Sequence, residues 1–420
     1  MCAPRVAGGG EPDLVMNQAT AALGRHAAAE LDARDPLGEY RQRFVIDPAL
    51  VYLDGNSLGC LPRATVARLE QTVAQWGERA VRGWDDGWLE LPIEIGDRLG
   101  AAALGAAPGQ TVIGDSTTVC FYKLACAALD ARPDRRQILT DVENFPTDRY
   151  VLEGLARARG LELVWLEGDP GAGPTEDEVA ARVGTDTALV TFSHVSYRSA
   201  HIAEMAAIDH VVEDAGALML WDLSHSAGSV PLSLDGDHAG LAVGCTYKYL
   251  NGGPGAPAYM YVRRDLQPQL CQPIWGWLGR RDPFEMAPGY EVAPGMQGFL
   301  SGTPPILGLA AVDEGVRLIA EAGIDAIRAK GVALTEYAVT LADALLAPAG
   351  VGVASPRDPA RRGAHVALTH ADARQLCGRL IDAGVIVDFR RPDVIRFGLS
   401  PLTTRFVDVW DGVEALRRFA

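Results

Sequence analysis

The segment Cys245-Thr-Tyr-Lys248-Tyr-Leu-Asn-Gly-Gly-Pro-Gly-Ala-Pro257 contains one of only three lysines in a chain of 420 residues that has 35 arginines. A desolvated lysine amine can lose its proton and form a Schiff base, whereas arginine stays protonated. The glycines and prolines that follow Lys248 predict tight backbone packing around it. We therefore interpret Lys248 as a catalytic residue rather than a surface cation, and we expect Lys123 and Lys330 to be surface cations.

Length and composition limit the classes of protein to be considered. At 420 residues, two domains are expected, because a single hydrophobic core stops growing below this size. The formal net charge of −16 argues against a general nucleic-acid binder. Seven cysteines without a C-x-x-C pair indicate free thiols in a reducing cytoplasm. We find no run of 18 apolar residues that predicts a membrane span and no signal peptide.

The segment around Lys248 lies in a region where apolar runs alternate with helical patterns. The strand candidates are Gln137–Asp141, Glu162–Leu166, Ala188–Val195, Leu218–Leu223 and Ala258–Val262. Helical patterns occur around them: Val66, Leu69, Val73 and Trp76 have helical spacing, residues 116–129 form another pattern, and Thr175 with Glu178 predicts a capping box. Apolar strands separated by helices predict an α/β fold with a mostly parallel sheet.

The predicted organisation has a large and a small domain. We expect residues 1–16 to be a disordered tail, with Met16 as an alternative start to Met1. Residues 17–305 form the N-terminal segment and the large domain, and residues 17–60 wrap that domain or reach a partner. Residues 306–420 form a smaller α+β C-terminal domain, with a long helical stretch from Ile306 to about Leu346 and strands at Ala364–Leu368, Val385–Phe389 and Val394–Phe397.

Polar side chains follow the strands, where the ligand site of a parallel sheet lies. Asp222, in Leu220-Trp-Asp-Leu-Ser-His225, ends a buried strand 26 residues before Lys248. A buried carboxylate needs a cationic partner or strong donors, and an aspartate can pair with the pyridinium nitrogen of a cofactor that a lysine holds as a Schiff base. A helix N-cap or a metal ligand is the alternative for Asp222, but the remaining polar groups form no metal ligand set, so no metal site is expected.

Two further segments are candidates for contacts with such a cofactor. Ser116-Thr-Thr118 opens a helix directly after a strand, and free N–H groups and hydroxyls at a helix N-terminus bind phosphate. Simple N-capping would explain one of these three residues. Phe145, in Phe145-Pro-Thr-Asp148, could cover a flat ring, although an aromatic residue after a strand can equally belong to the core.

The ordered set of these motifs resembles the kynureninase family of fold-type I pyridoxal-phosphate enzymes, in its bacterial form. The matching segments span roughly residues 50–410 and are Tyr52-Leu-Asp-Gly-Asn-Ser-Leu-Gly59, Ser116-Thr-Thr-Val119, Phe145-Pro-Thr-Asp148, Asp222-Leu-Ser-His225, Tyr247-Lys-Tyr-Leu-Asn-Gly-Gly253, Gly276-Trp-Leu-Gly279, Gly298-Phe-Leu-Ser-Gly-Thr-Pro-Pro-Ile306 and Ile395-Arg396. The resemblance implies a cytoplasmic homodimer with pyridoxal 5'-phosphate bound to Lys248 as a Schiff base. It implies hydrolysis of L-kynurenine to anthranilate and L-alanine in tryptophan degradation.

The resemblance also implies a role for each matching residue. Lys248 and Tyr247 are the catalytic residues, with Tyr247 transferring protons. Cofactor contacts are implied for Thr117, Thr118, Phe145, Pro146, Thr147, Asp148, Ser193, Asp222, His225, Tyr247 and Lys248, and for Trp277 and Thr303 from the neighbouring subunit. Substrate contacts are implied for Arg396, Trp84, Asn56 and Ser57, with Arg396 gripping the α-carboxylate in a bidentate fork.

Two positions bear on the substrate. Trp84 and Thr303 stand where animal members of the family carry a histidine and an asparagine, which are associated with 3-hydroxykynurenine. The exchange replaces polar partners of a ring hydroxyl by a mainly apolar wall, which favours kynurenine, although Trp84 could simply be packing. The alternatives are the same reaction on 3-hydroxykynurenine or another ring-substituted kynurenine, a class V aminotransferase or cysteine desulfurase activity, and a non-catalytic regulator that binds pyridoxal phosphate.

Overall fold

The chain first forms short elements that lead into the large sheet. The structure is a computed structural model that describes residues 23–169 and 171–420. In chain order the first elements are α1 (Arg25–Asp32), β1 (Phe44–Val45), β2 (Val51–Tyr52), β3 (Leu61–Pro62), α2 (Arg63–Arg79) and α3 (Leu91–Leu99). The helix predicted from the spacing of Val66, Leu69, Val73 and Trp76 is therefore present as α2. However, Val66, Val73 and Trp76 on this apolar face are exposed in the single chain.

The described residues form a seven-stranded sheet in the order β4-β10-β9-β8-β7-β5-β6. Its strands are β4 (Thr111–Gly114), β5 (Gln137–Asp141), β6 (Glu162–Leu166), β7 (Thr187–Ser193), β8 (Leu218–Asp222), β9 (Leu241–Gly244) and β10 (Ala258–Val262). Only β10 runs antiparallel to its neighbours, β4 and β9, and the other strand pairs are parallel. The prediction of an α/β fold with a mostly parallel sheet is confirmed.

Helices follow most of the parallel strands and cover the sheet. They are α4 (Thr117–Asp130), α5 (Pro146–Arg159), α6 (Glu176–Ala180) and α7 (Met205–Asp214). Ser116 is the N-cap of α4 and accepts a hydrogen bond from the Val119 amide. The capping box predicted at Thr175 and Glu178 begins α6. Each helix thereby brings the chain back to start the next parallel strand, so that the strands' carboxyl ends share one edge.

The C-terminal part combines helices with a four-stranded sheet in the order β11-β12-β15-β14. Its elements are α8 (Ile306–Ala322), α9 (Ile324–Leu341), β11 (Gly352–Val353), β12 (His365–Thr369), α10 (Ala373–Asp382), β13 (Val385–Ile386), β14 (Asp388–Arg390), β15 (Val394–Gly398) and α11 (Phe406–Phe419). The helical stretch predicted over Ile306–Leu346 breaks at Gly323, whose φ of 79° is incompatible with a continuous helix. The strand predicted at Val385–Phe389 is also divided, because β13 pairs with β2 while β14 pairs with β15.

The buried clusters connect distant parts of the chain. Apolar side chains of α8, such as Val312, pack in the same cluster as Trp221 of the large sheet. Leu53, from the N-terminal segment, packs in the cluster that contains Phe397 of β15. The division between residues 17–305 and 306–420 stays a prediction. The tail predicted for residues 1–16 lies outside the described residues.

The two other lysines are not surface cations, and that expectation is wrong. The Lys123 ammonium is buried and donates to the Asp115 carboxylate at 2.5 Å and to the Phe299 carbonyl at 3.0 Å. Lys330 is buried beside Asp35, with 2.6 Å between Nζ and Oδ2. A compact ammonium has three donors that can point at separate acceptors, which a planar guanidinium does not reproduce.

Among the described residues, the helical stretch Ile324–Ala349 is long and apolar enough to cross a membrane by length and composition alone. Its apolar side chains, including Leu334 and Leu341, lie in the buried cluster around Phe397. Lys330 also lies within this stretch and is paired with Asp35. The stretch is therefore a core helix of this fold.

Candidate active site

A cavity of about 200 Å³ lies where the carboxyl ends of the large-sheet strands meet. It is lined by Ser116, Thr117, Thr118, Phe145, Thr147, Asp148, Asp222, Ser224, Tyr247, Lys248, Gly255 and Ala256. The loops after β4, β5, β8 and β9 supply most of this lining, as expected for the ligand site of a parallel sheet. The structure therefore brings together most of the residues that the sequence singles out.

Lys248 projects into this cavity beside a histidine and two aromatic rings. Its Nζ lies 3.3 Å from Nε2 of His225, 5.6 Å from the centre of the Phe145 ring and 5.9 Å from that of Tyr247. Burial, followed by the charge of Lys248, lowers the pKa of His225 well below its usual value. A neutral His225 can accept a hydrogen bond from the lysine amine and so hold it in one orientation.

Two buried carboxyl groups, Asp148 and Asp222, lie beside each other in the lining of the cavity. Asp222 Oδ1 accepts a hydrogen bond of 2.8 Å from the Ser224 amide. Asp148 Oδ2 is buried and has no hydrogen-bond partner among the described residues. Burial, and then the nearby Asp222, raise the pKa of Asp148 well above its usual value. A buried oxygen without a donor, next to a second carboxyl group, fits a ligand that brings its own N–H or O–H groups.

The opposite end of the cavity is suited to an anion. Ser116, Thr117 and Thr118 stand at the N-terminus of α4, and all three line the cavity. The first N–H groups of a helix have no partners within the helix and carry partial positive charge. A flat ring with a cationic nitrogen at one end and a phosphate at the other therefore fits this cavity, with Phe145 beside the ring.

Arg396 is held next to the residues predicted to act with it. It lies on β15 directly opposite Asp388 of β14 and is 1% exposed. Its Nε donates to Asp388 Oδ1 at 2.7 Å, and its Nη2 donates to Ser57 Oγ at 3.2 Å. The terminal amide of Asn56 lies 3.2–3.3 Å from the guanidinium nitrogens. Asn56, Ser57 and Arg396 thus form one polar cluster.

The pKa values of the two carboxyl groups near Arg396, Asp54 and Asp388, are shifted in opposite directions. Burial alone would raise the pKa of Asp388, but the hydrogen bonds and charge of Arg396 outweigh it and lower the pKa to about 2. Burial, followed by the charge of Asp388, raises the pKa of Asp54 to about 6. Asp388 is therefore the permanent anion beside Arg396.

Some predicted residues lie outside the cavity around Lys248. Trp84 and Thr303 line a separate cavity of about 420 Å³, together with Trp76, Trp88 and residues 304–308. Trp277 packs edge-on against Phe284, with 5.7 Å between ring centres. Thr303 also lines a neighbouring cavity with Ser116 and Gly255, but none of the three predicted residues lines the cavity around Lys248.

Two other predicted residues, Ser193 and Pro146, do not line the cavity but lie close in sequence or contact to the loop that carries Phe145. Ser193 donates a hydrogen bond of 2.9 Å to Asn144 Oδ1, which also accepts the Phe145 amide at 2.8 Å. Pro146 is the first residue of α5, where its missing N–H costs nothing. Asn144 thus connects Ser193 to the loop that carries Phe145.

Sequence reasoning missed several residues of the site. Asp388 is the most important, because it contacts Arg396 and Ser57. A signal was available, since a hairpin that turns at residues 391–393 places Asp388 opposite Arg396. Ser224 and Tyr197 were also missed, and they act through a backbone N–H and a backbone carbonyl that no residue pattern reveals. Asn144 was missed as well, and it acts through its side-chain Oδ1. Among residues 23–169 and 171–420, no group of three or more His, Cys, Asp or Glu side chains is placed to hold a metal ion.

Relatives of known name match almost the whole chain. A kynureninase of Burkholderia pseudomallei (strain 1106a) is 43% identical over 401 residues, which cover 94% of this chain and 94% of the relative. The chain belongs to the kynureninase family. A kynureninase of Pseudomonas fluorescens is 40% identical over 404 residues, covering 93% of this chain and 94% of the relative. The family model described as the kynureninase C-terminal domain matches residues 327–416, which include Asp388 and Arg396.

Solved structures share the kynureninase-family fold seen here. An apo cysteine desulfurase from Thermococcus onnurineus NA1 aligns with a TM-score of 0.80 at 18% identity, over 91% of this chain and 97% of that one. The protein C-DES, with glycine covalently linked to its PLP cofactor, aligns with a TM-score of 0.80 at 17% identity, over 90% of this chain and 99% of that one. At these identities the likeness shows the fold alone.

Proposed function

We propose that this chain hydrolyses L-kynurenine to anthranilate and L-alanine, with pyridoxal 5'-phosphate bound to Lys248. The observation that carries the proposal is the placement of Lys248 in a cavity with a helix N-terminus at one end and two buried carboxyl groups at the other. The family membership selects this reaction among those that such a cavity can support. Free thiols at the described cysteines agree with a cytoplasmic enzyme of tryptophan degradation.

The cavity residues have complementary roles toward the cofactor. Thr117, Thr118 and the α4 N-terminus would hold its phosphate, and Phe145 would lie against its ring. Asp222 would face the ring nitrogen and keep it protonated. When bound, pyridoxal phosphate supplies an electron sink that stabilises negative charge at the substrate's α-carbon.

The protein supplies proton transfer and orientation. The Lys248 amine, once displaced by the substrate amine, is placed to remove the α-proton, and neutral His225 keeps it in position. Burial, and then the neighbouring Cys245, raise the pKa of Tyr247, so its phenol stays protonated and can donate a proton. Arg396 would bind the substrate's α-carboxylate.

We further propose that two copies of the chain share their active sites. Trp277 and Thr303 lie outside the cavity around Lys248 in the single chain. The apolar face of α2 is exposed, with Val73 at 51% and Trp76 at 60%. Exposed apolar surface of this kind is typical of an interface with another protein chain. A second copy would cover this surface and supply Trp277 and Thr303.

Substrate preference follows from the walls beside Thr303. The cavity that contains Trp84 and Thr303 is lined mainly by indole rings and prolines. Such a wall offers little to pair with a ring hydroxyl, and a pocket without that partner rejects the added hydroxyl only modestly. We therefore expect kynurenine to exceed 3-hydroxykynurenine in kcat/KM by tens of fold to about a hundredfold.

The deciding experiment measures steady-state rates on kynurenine and 3-hydroxykynurenine side by side. Release of anthranilate and alanine from kynurenine supports the proposed reaction, and its absence with a fully loaded cofactor refutes it. Trp84→His combined with Thr303→Asn should shrink or reverse the preference. The two single variants separate packing by Trp84 from a cofactor contact by Thr303. A wild type that prefers the hydroxylated substrate would show that the roles of Trp84 and Thr303 are wrong, while leaving the cofactor assignment intact.

A further inference from the structure

Asp388 occupies one edge of the Arg396 guanidinium. The two residues stand directly opposite each other in the β14–β15 ladder. Asp388 Oδ1 accepts from Arg396 Nε, and Asp388 Oδ2 accepts from Arg396 Nη2, so the contact is bidentate. Since Asp388 and Arg396 belong to adjacent strands of one sheet, their backbones fix the geometry of this pair.

The end of the guanidinium that points away from Asp388 is the part left for a ligand. A guanidinium carries five N–H donors, and Arg396 uses two on Asp388, one on Ser57 Oγ and one on the Tyr197 carbonyl. The remaining N–H is on Nη1, and the Asn56 side-chain amide lies 3.2–3.3 Å from the guanidinium nitrogens beside it. Ser57 Oγ can rotate away from Nη2, so Nη1 and Nη2 together offer an end-on site for a carboxylate.

A second arginine balances the charge of the group. Arg390 Nη2 donates to Asp388 Oδ2 at 2.7 Å, so that Asp388 lies between two guanidinium groups. Ser57 Oγ donates to the same Asp388 oxygen at 2.9 Å. The two guanidinium groups carry two positive charges against the one negative charge of Asp388, while nearby Asp54, whose pKa is raised to about 6, adds a second negative charge when it is ionised.

We propose that Asp388 is the positioning residue that aims Arg396 at the α-carboxylate of the substrate, with Arg390 offsetting the negative charge of Asp388. The proposal rests on the proposed function, since it assumes an amino-acid substrate. Without Asp388, Arg396 and Arg390 would repel each other, and Arg396 would lose the contact that fixes its orientation. Asp388 itself does not touch the substrate.

The test compares Asp388→Asn with wild type and with Asp382→Asn, a matched change at an exposed position on α10. Wild-type release of anthranilate from kynurenine is established first, which tests the proposed function separately. In D388N the KM for kynurenine should rise at least about tenfold, because a charge-assisted bidentate contact is lost, while kcat and the absorption of the bound cofactor stay near wild type. D382N should match wild type throughout.

A second measurement tests whether the effect of D388N depends on the α-carboxylate of the substrate. Kynuramine is kynurenine without the α-carboxylate, and its competitive inhibition constant should be the same in D388N and wild type. A KM unchanged by D388N overturns the proposal, as does equal weakening of kynurenine and kynuramine. A KM that falls also overturns it, because that result means Asp388 competes with the substrate for Arg396. If D388N does not fold, Asp388→Glu provides the test, since its extra methylene displaces the fork and should raise KM, and an unchanged KM refutes the role.

Discussion

At the scale of single residues, arginine and lysine occupy positions with different chemical requirements. Arg396, with its planar fork, pairs with Asp388 and is proposed to bind a carboxylate, while Lys248 lies beside His225 and is proposed to form a Schiff base. The other two lysines are buried and paired with carboxylates. Lysine therefore occurs in this chain only where a compact ammonium or a reactive amine is required.

The first residue-level prediction concerns Lys248. Borohydride reduction of the enzyme loaded with pyridoxal phosphate should place a covalent label on Lys248, detected by mass spectrometry of peptides. Lys248→Arg should give no label, because a guanidinium does not form the Schiff base. A label on Lys123 or Lys330, or no label in the wild type, would contradict the assignment.

The second residue-level prediction concerns Arg396. Arg396→Lys keeps the charge but loses the planar fork, so substrate binding should weaken by about 1.5–3 kcal/mol. The cofactor spectrum should stay normal, since Arg396 lies outside the cavity lining around Lys248. Arg391→Lys, at an exposed position of the same hairpin, is the matched control. Unchanged apparent affinity in R396K would mean that another group holds the carboxylate.

At the scale of elements, the sequence predicts the strands well where each is a continuous apolar run. The bounds of β6 and β10 agree with prediction because Glu167 and Arg263 follow them, and those of β5 agree because the strand itself ends on Asp141. The break at Gly323 was missed because apolar periodicity continues across it. The partner change between β13 and β14 was missed because it depends on contacts with β2, more than 300 residues earlier.

For the site, as for the strands, the sequence predicts the position of some residues and not of others. Residues that follow strand ends, such as Asp222 and Lys248, can be placed together from the sheet topology alone. Asp388 could not be recognised by its type, because its role depends on its register opposite Arg396. The burial of Lys123 and Lys330 likewise depends on packing around their helices, which one charged residue in a helical pattern does not reveal.

An element-level prediction tests the loop that begins the phosphate end of the cavity. Lys123 ties Asp115, next to Ser116, to the Phe299 carbonyl. Lys123→Met should lower stability by about 1–3 kcal/mol, because it leaves buried polar groups unpaired, and should weaken retention of pyridoxal phosphate. Lys330→Met should cost about 3–5 kcal/mol, since both members of its pair are buried, yet leave cofactor affinity unchanged.

Thermal unfolding measures the stability of both variants. Their dissociation constants for the cofactor are measured at a temperature at which circular dichroism shows both variants to be folded. Equal cofactor affinity in K123M and K330M would show that the Lys123 contact does not shape the phosphate end. In that case Lys123 would serve only the stability of the fold.

At the scale of the whole molecule, we propose that a second copy of the chain completes the site. Neither Trp277 nor Thr303 lines the cavity around Lys248, and within residues 23–169 and 171–420 the apolar face of α2 is exposed. Both observations have one explanation if two copies associate through a symmetric interface. The dimer is then a requirement of the chemistry, and dilution to monomers should abolish activity.

The last prediction tests this sharing of sites by mixing two inactive proteins. Lys248→Arg lacks the Schiff-base residue, and the double variant Trp277→Ala with Thr303→Ala lacks the residues proposed to cross the interface. In a heterodimer, the double variant keeps its own Lys248 and receives Trp277 and Thr303 from the other chain, so one of the two sites is intact. Random exchange in an equal mixture makes half of the dimers heterodimers, and about a quarter of wild-type activity should return. Sedimentation of each protein should give a mass near twice 44.7 kDa. If Trp277 and Thr303 act within their own chain, no heterodimer contains a complete site and the mixture stays inactive.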